Sequence, residues 1–101
     1  MKTYEGRREG PRRIVTIDGK PLNPRFDLRN YSPSGFEWGY GGSGPAQLAL
    51  AILAEHLGNE GLAEDLHQRF KWAVVATLPH SNWKLISDEI DQVLKGLMAV
   101  A

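Results

Sequence analysis

The feature that most constrains this chain is a segment, residues 45–57, that is apolar on nearly every side. Its central run reads Ala-Gln-Leu-Ala-Leu-Ala-Ile-Leu-Ala from residue 46 to residue 54. A helix with one apolar stripe can lie on a surface, whereas a helix that is apolar all round must be covered on all sides. Pro45 suits the first helical position, with Gly44 or Ser43 as the cap, and Gly58 suits a left-handed residue at the end. We therefore predict a buried first helix.

Segments on either side of this helix predict a sheet and two further helices. Asp18 and Gly19 favour a tight hairpin turn, and apolar residues recur every four positions from Leu62 until Pro79 ends the second helix. The predicted strands are 12–17, 20–22, 25–31 and 36–40, and residues 3–6 can add an N-terminal strand. The predicted helices are 45–57, 60–78 and one capped at Ser87 that includes 90–98, with 83–86 as an extended link. The expected fold is α+β: an N-terminal antiparallel sheet of three to four short strands followed by three helices.

Length and composition bound the class of protein. A chain of 101 residues, with 42% hydrophobic and 24% charged residues, is typical of one globular domain that spans residues 1–101. The absence of cysteine excludes a disulfide framework and a cysteine-ligated metal. The first apolar stretch, residues 14–17, is too short for an export signal, and the longest apolar-rich window is well under the roughly 20 residues that cross a bilayer. We expect a cytoplasmic protein with no membrane partner.

The formal net charge is zero, but the charges are unevenly distributed. Residues 1–31 contain eight Lys and Arg against four Asp and Glu, and residues 32–101 contain four against eight. Such a division is typical of an anion-binding face on the basic half, or of two halves that attract each other within the folded monomer. The second interpretation is the one that we favour.

The most distinctive segment is residues 32–51, Ser-Pro-Ser-Gly-Phe-Glu-Trp-Gly-Tyr-Gly-Gly-Ser-Gly-Pro-Ala-Gln-Leu-Ala-Leu-Ala. This run resembles a family of small, functionally uncharacterised domains of bacteria and their phages. The resemblance extends more loosely through Phe70-Lys71 and residues 83–86. It implies a small bacterial or phage accessory protein, and it implies no catalytic residue, ligand or partner.

This aromatic and glycine-rich segment is the best candidate for a functional surface. Flat rings beside glycines are typical of protein-protein hot spots, but glycines here also allow a sharp crossing into a helix that packs close to a sheet. We predict a non-catalytic module that binds another macromolecule, a protein of unknown identity, and leave the oligomeric state open. The candidate binding residues are Phe36, Glu37, Trp38, Tyr40, Gly41, Gly42, Ser43 and Gln47.

The alternative is a nucleotide or nucleic-acid binder. A glycine-rich loop that opens into a helix can direct backbone N–H groups at an anion, although residues 39–44 lack the Lys-Ser/Thr pair of a phosphate loop and the βαβ context of a dinucleotide site. Basic side chains on the N-terminal strands can contact phosphates. The candidate anion contacts are Arg7, Arg8, Arg12, Arg13, Arg25 and Arg29, together with the loop 39–44.

Catalysis and metal binding receive little support from the sequence. Glu64 and His67 have the spacing of one di-iron ligand pair, but that centre needs a second pair. Gly42-Ser43-Gly44 does not extend to a nucleophile elbow. We assign no catalytic residue, no metal ligand and no cofactor, and we favour a non-catalytic role while leaving enzymatic activity open.

Overall fold

A computed structural model describes residues 1–99 of the chain. It has the predicted α+β architecture, in which a four-stranded antiparallel sheet packs with three helices. Among these residues, no helix is both long and apolar enough to span a membrane. The strands are β1 (Thr3–Glu9), β2 (Arg12–Ile17), β3 (Lys20–Pro21) and β4 (Trp83–Ile86), and the helices are α1 (Ser43–Leu57), α2 (Glu60–Ala73) and α3 (Ser87–Ala99), with a 3₁₀ turn at Val75–Thr77.

The sheet has the strand order β3-β2-β1-β4. β1 and β2 form a hairpin in which Tyr4 lies opposite Ile17. The turn from β2 into β3 contains Asp18 and Gly19, both with positive φ (49° and 83°), as a two-residue hairpin requires. The predicted hairpin turn is therefore confirmed. Because β3 contains Pro21, which cannot donate a ladder hydrogen bond, the return strand is short and lies at an edge.

Two predicted strands are wrong and one extended link proves to be a strand. Residues 25–31 form turns because Arg25 takes a left-handed φ of 59°, and residues 36–40 form no strand because Gly35 and Gly39 take φ values of 104° and 86°. Trp83–Ile86, by contrast, pairs with β1 as an edge strand of the sheet. Its side chains alternate between buried and more exposed positions, which is the period of a half-covered strand.

Helix α1 is buried, as predicted. Every residue from Gly44 to Ala54 is inaccessible or nearly so. It begins at Ser43 with Gly42 in the capping position, slightly earlier than the sequence suggests, and Gly58 ends it with a φ of 62°. α2 ends at Ala73 rather than near residue 78, because the chain tightens into the 3₁₀ turn. β-Branched valines at 74 and 75, which are restricted in a helix, lie at this change.

Gln47 is the polar side chain among the buried residues of α1, and it holds the segment between β3 and α1 in place. Its Oε1 accepts hydrogen bonds from the backbone N–H groups of Tyr31 (2.7 Å) and Ser32 (3.3 Å). Its Nε2 donates to the carbonyl oxygens of Pro24 (2.6 Å) and Arg29 (3.0 Å). One fully buried amide thus satisfies four backbone groups of a segment that has no sheet partner.

We expect the substitution Gln47→Leu to lower the free energy of unfolding by about 3 kcal/mol, because it leaves several buried backbone groups without partners. Gln92→Leu, at an exposed position on α3, is the matched control and should change stability by less than about 0.5 kcal/mol. Urea unfolding monitored by circular dichroism measures both values. Equal losses in the two variants would contradict the role assigned to Gln47.

Tyr4 of β1 has a completely buried side chain whose hydroxyl has no hydrogen-bond partner among the described residues. Burial, with smaller contributions from Glu55 and Asp18, raises the pKa of this phenol above its usual value. A raised pKa in the folded state means that the unfolded chain loses the phenol proton first. Stability is therefore lost as the pH rises above the unfolded value of about 10.

The substitution Tyr4→Phe removes this unpartnered hydroxyl. At neutral pH we expect the free energy of unfolding to stay the same or to rise by up to about 1 kcal/mol, because a buried unsatisfied group disappears. Above about pH 10 the variant should lose less stability than the wild-type protein. Thermal unfolding from pH 7 to pH 11 tests this, and parallel profiles for the two proteins would rule out the effect.

Candidate binding surface

The part of the distinctive segment that precedes α1, residues 32–42, is an irregular loop with a turn at residues 32–35. The backbone N–H of Gly39 donates to the carbonyl of Val75 (3.0 Å), which ties the segment to the turn after α2. Gly44, in the first turn of α1, lies directly against Glu37, and a Cβ at Gly44 would come within 2.6 Å of the Glu37 Cβ. The segment therefore contacts the 3₁₀ turn after α2 and the first turn of α1.

Trp38 lies in the core and not at the surface. Its side chain is completely buried, and its Nε1 donates to the carbonyl of Ser81 at 3.0 Å. Its ring meets that of Trp83 edge to face, with centroids 5.7 Å apart, and the guanidinium of Arg8 lies 4.8 Å from its centroid. Trp38 therefore joins the loop to the sheet and is not available to a partner.

Glu37 links the same loop to the sheet through charge. Its carboxylate forms ion pairs with Arg8 of β1 (3.0 Å) and Arg13 of β2 (2.9 Å), two residues that are opposite each other in the hairpin. One carboxylate oxygen also accepts the backbone N–H of Trp38 at 3.2 Å. All three charged side chains are only about one-quarter exposed, at 25–27%. The shared carboxylate thus offsets the repulsion between two adjacent guanidiniums.

We expect Glu37→Gln to lower the free energy of unfolding by about 1–2 kcal/mol, because partly buried hydrogen bonds to charged groups are stronger than neutral ones. Glu55→Gln, which removes an exposed ion pair with Lys2, is the control and should cost under about 0.5 kcal/mol. Chemical unfolding at low salt and at 1 M NaCl provides the measurement. The role of Glu37 is refuted if its substitution costs no more than that of Glu55.

The remaining aromatic residues of this region are at the surface. Tyr40 is 49% exposed and Trp72, near the end of α2, is 61% exposed. The Trp72 ring lies directly on Gly41, where a Cβ would come within 2.2 Å of Cη2, and the Tyr40 ring lies on Gly42, where a Cβ would come within 2.5 Å. We call Tyr40, Gly41, Gly42, Ser43 and Trp72 the aromatic surface.

The other predicted binding residues have different positions. Phe36 is partly buried and packs against the core, and Ser43 is exposed at the first position of α1. Gln47 is buried, and its side-chain amide is already hydrogen-bonded to the backbone of the loop. Sequence reasoning missed Trp72, which lies outside the apolar stripe of α2. The sequence did contain a signal that could have found it, namely an aromatic residue on the polar side of an amphipathic helix.

Most of the candidate anion contacts are engaged in ion pairs. Arg7 pairs with Glu9 at 2.8 Å, and Arg25 pairs with both Asp27 and Glu60. The hydrogen bond from Arg25 holds the pKa of Asp27 below its usual range. Arg12 and Arg29 are exposed and form no ion pair with any residue of the described part of the chain.

Several ion pairs cross between the basic and acidic parts of the chain. Lys2 pairs with Glu55 at 3.1 Å, and Glu60, at the start of α2, receives Arg25. The ion pairs of Glu37 cross the same boundary. The uneven charge distribution therefore produces attraction within the monomer, which agrees with the interpretation favoured from the sequence.

His67, the residue with di-iron ligand spacing, takes part in packing. It is 5% exposed, its ring stacks on Tyr31 with centroids 5.2 Å apart, and its Nδ1 donates to the carbonyl of Glu64 at 2.7 Å. Within residues 1–99, no group of three or more His, Asp or Glu side chains is arranged to hold a metal ion.

The chain belongs to a family of unknown function, DUF6166, whose model matches residues 4–96. The match includes the aromatic surface and all of α1 and α2. It also includes the whole sheet apart from Thr3. No curated protein and no solved structure matches the chain.

Proposed function

We propose that this protein is a non-catalytic module that binds another protein through the aromatic surface. The observation that carries the proposal is the exposure of two large rings, Tyr40 and Trp72, that are both held in place by packing on consecutive glycines. Trp and Tyr are the residue types that most often dominate binding energy at protein interfaces. An accessory role in a bacterium or phage and a cytoplasmic location are part of this proposal and rest on the sequence.

The packing on glycine supports a binding role for physical reasons. A ring that lies directly on the backbone has few alternative positions, so it loses little conformational freedom when a partner covers it. Trp72 is 61% exposed to water, so the free energy of burying its apolar surface is not gained in the free protein. A partner that covers Trp72 and Tyr40 together recovers this free energy for both rings.

The nucleotide or nucleic-acid alternative has less support. Arg8 and Arg13 share the carboxylate of Glu37, and Arg25 pairs with two carboxylates. A phosphate backbone must displace these internal pairs before it gains the guanidiniums. Enzymatic activity has less support for a similar reason, because the carboxylate of Glu37 is occupied by two arginines and the backbone of Trp38.

We expect the double variant Tyr40→Ser/Trp72→Ser to lose the proteins that the tagged wild-type protein captures from a bacterial host extract. Phe26→Ser is the matched control, because Phe26 is also an exposed aromatic residue, at 40%, but belongs to another loop. Quantitative mass spectrometry of the captured proteins, with circular dichroism to verify folding, is the measurement. Capture that is unaffected by the double variant, or equally lost in Phe26→Ser, contradicts the proposal.

Salt dependence separates the two candidate functions. An interface based on aromatic rings should lose little affinity between about 50 and 200 mM salt, whereas contacts to several phosphates lose orders of magnitude over that range. Repeating the capture at both salt concentrations, beside fluorescence anisotropy with labelled DNA and RNA oligonucleotides, provides the comparison. Steep salt dependence together with oligonucleotide binding favours the alternative.

A further inference from the structure

The apolar stripe of α3 is only partly covered by the residues that the structure describes. Ile90 and Leu94 are buried, whereas Met98, one turn after Leu94, is 56% exposed. An amphipathic helix is stabilised by the burial of its apolar stripe. The core therefore covers the first part of the stripe and leaves Met98 exposed to water.

Met98 lies in a groove of about 670 Å³ between α3 and the end of α1. Leu57, the last residue of α1, and Leu94 also line this groove and give it apolar walls. The Nε2 atom of His56 lies 2.6 Å from Oδ1 of Asp91, which places the end of α1 beside the first half of α3. We call the groove lined by Leu57, Asp88, Asp91, Leu94, Lys95 and Met98 the α3 groove.

Two residues of opposite charge line the α3 groove without an ion pair of their own. Asp88, in the first turn of α3, and Lys95, seven residues later, are exposed and form no ion pair with any residue from 1 to 99. Residues seven apart lie on the same face of a helix, about 10 Å apart along its axis. A surface that complements the groove must present a cation and an anion in the reverse order, with an apolar group nearby.

A second copy of α3 has this pattern when it runs antiparallel to the first. A two-fold axis pairs the same two positions twice, so Asp88 of each copy faces Lys95 of the other. Met98 of the second copy then comes to the first half of α3, where Leu57 provides an apolar contact. The formal net charge of the chain is zero, so two copies have no overall repulsion that opposes their approach.

We propose that the α3 groove is the interface of a symmetric homodimer, in which the α3 helices of two copies pack antiparallel. The interface does not include the aromatic surface, so it is independent of the proposed function and leaves one aromatic surface on each copy. An interface made of one helix and the end of a neighbouring helix is small. We therefore expect a dimer with a dissociation constant on the order of 10–100 µM.

The test is sedimentation equilibrium of the full chain at protein concentrations from about 5 to 500 µM, in about 50 mM salt so that exposed charges are weakly screened. The wild-type protein should change from monomer to dimer over this range. Larger species should not form, because a two-fold interface closes on itself. A protein that stays monomeric at the highest concentration, or that forms open-ended polymers, overturns the proposal.

Single charge reversals test the pairing itself. Asp88→Lys brings like charges together in a homodimer, as does Lys95→Asp, so each variant alone should dimerise about tenfold more weakly or less. An equimolar mixture of the two variants places opposite charges at both pairs again and should regain dimer formation. If both variants are folded by circular dichroism and the mixture stays monomeric, the antiparallel pairing is refuted.

Met98→Ser tests the apolar part of the interface and does not alter the charge of α3. We expect it to weaken the dimer by about tenfold or more, because two methionine side chains lose their cover in each dimer. Asp65→Lys, an equal charge reversal at an exposed position on α2 outside the groove, is the matched control for the charge variants and should leave the dimer unchanged. A dimer that survives Met98→Ser and both charge reversals, or that is lost equally in Asp65→Lys, uses another face and contradicts the proposal.

Discussion

The rest of the structure depends on how α1, a helix without a polar face, is covered. Its residues from Gly44 to Ala54 are buried, so the sheet, α2 and the long segment after β3 must all pack around it. That segment has no strand to pair its backbone, and the amide of Gln47 takes the place of a strand by satisfying four of its backbone groups. The same hydrogen bonds fix the path of that segment as far as Ser32.

Two indole rings with neighbouring cations differ in burial and in whether the cation has an anionic partner. Trp38 is in the core, and Arg8 above it is paired with Glu37, so this group connects the loop with the hairpin. Trp72 is at the surface, and Lys71 beside it has no anion among the described residues. A carboxylate completes the first arrangement within the chain.

Much of the fold was predictable from local pattern. The buried α1, the hairpin turn at Asp18 and Gly19, and the α+β class follow from periodicity and turn chemistry, which act over a few residues. Which segments after β3 form strands was not predictable in the same way. Residues 25–31 carry a strand-like alternation that the left-handed Arg25 interrupts, and Trp83–Ile86 is a strand because β1 offers it an edge. Strand pairing depends on a partner distant in the sequence, which no local pattern identifies.

For the candidate site, the sequence by itself determined the segment: aromatic residues and glycines that precede a buried helix between residues 36 and 47. Only the tertiary structure decided which of its members reach the surface. Trp38 and Gln47 are turned inward, Tyr40 remains exposed, and Trp72 joins it from α2 by lying on Gly41. The physical reason is that residue type and spacing specify what a side chain can contact. Whether it is covered depends on the elements that the whole chain brings against it.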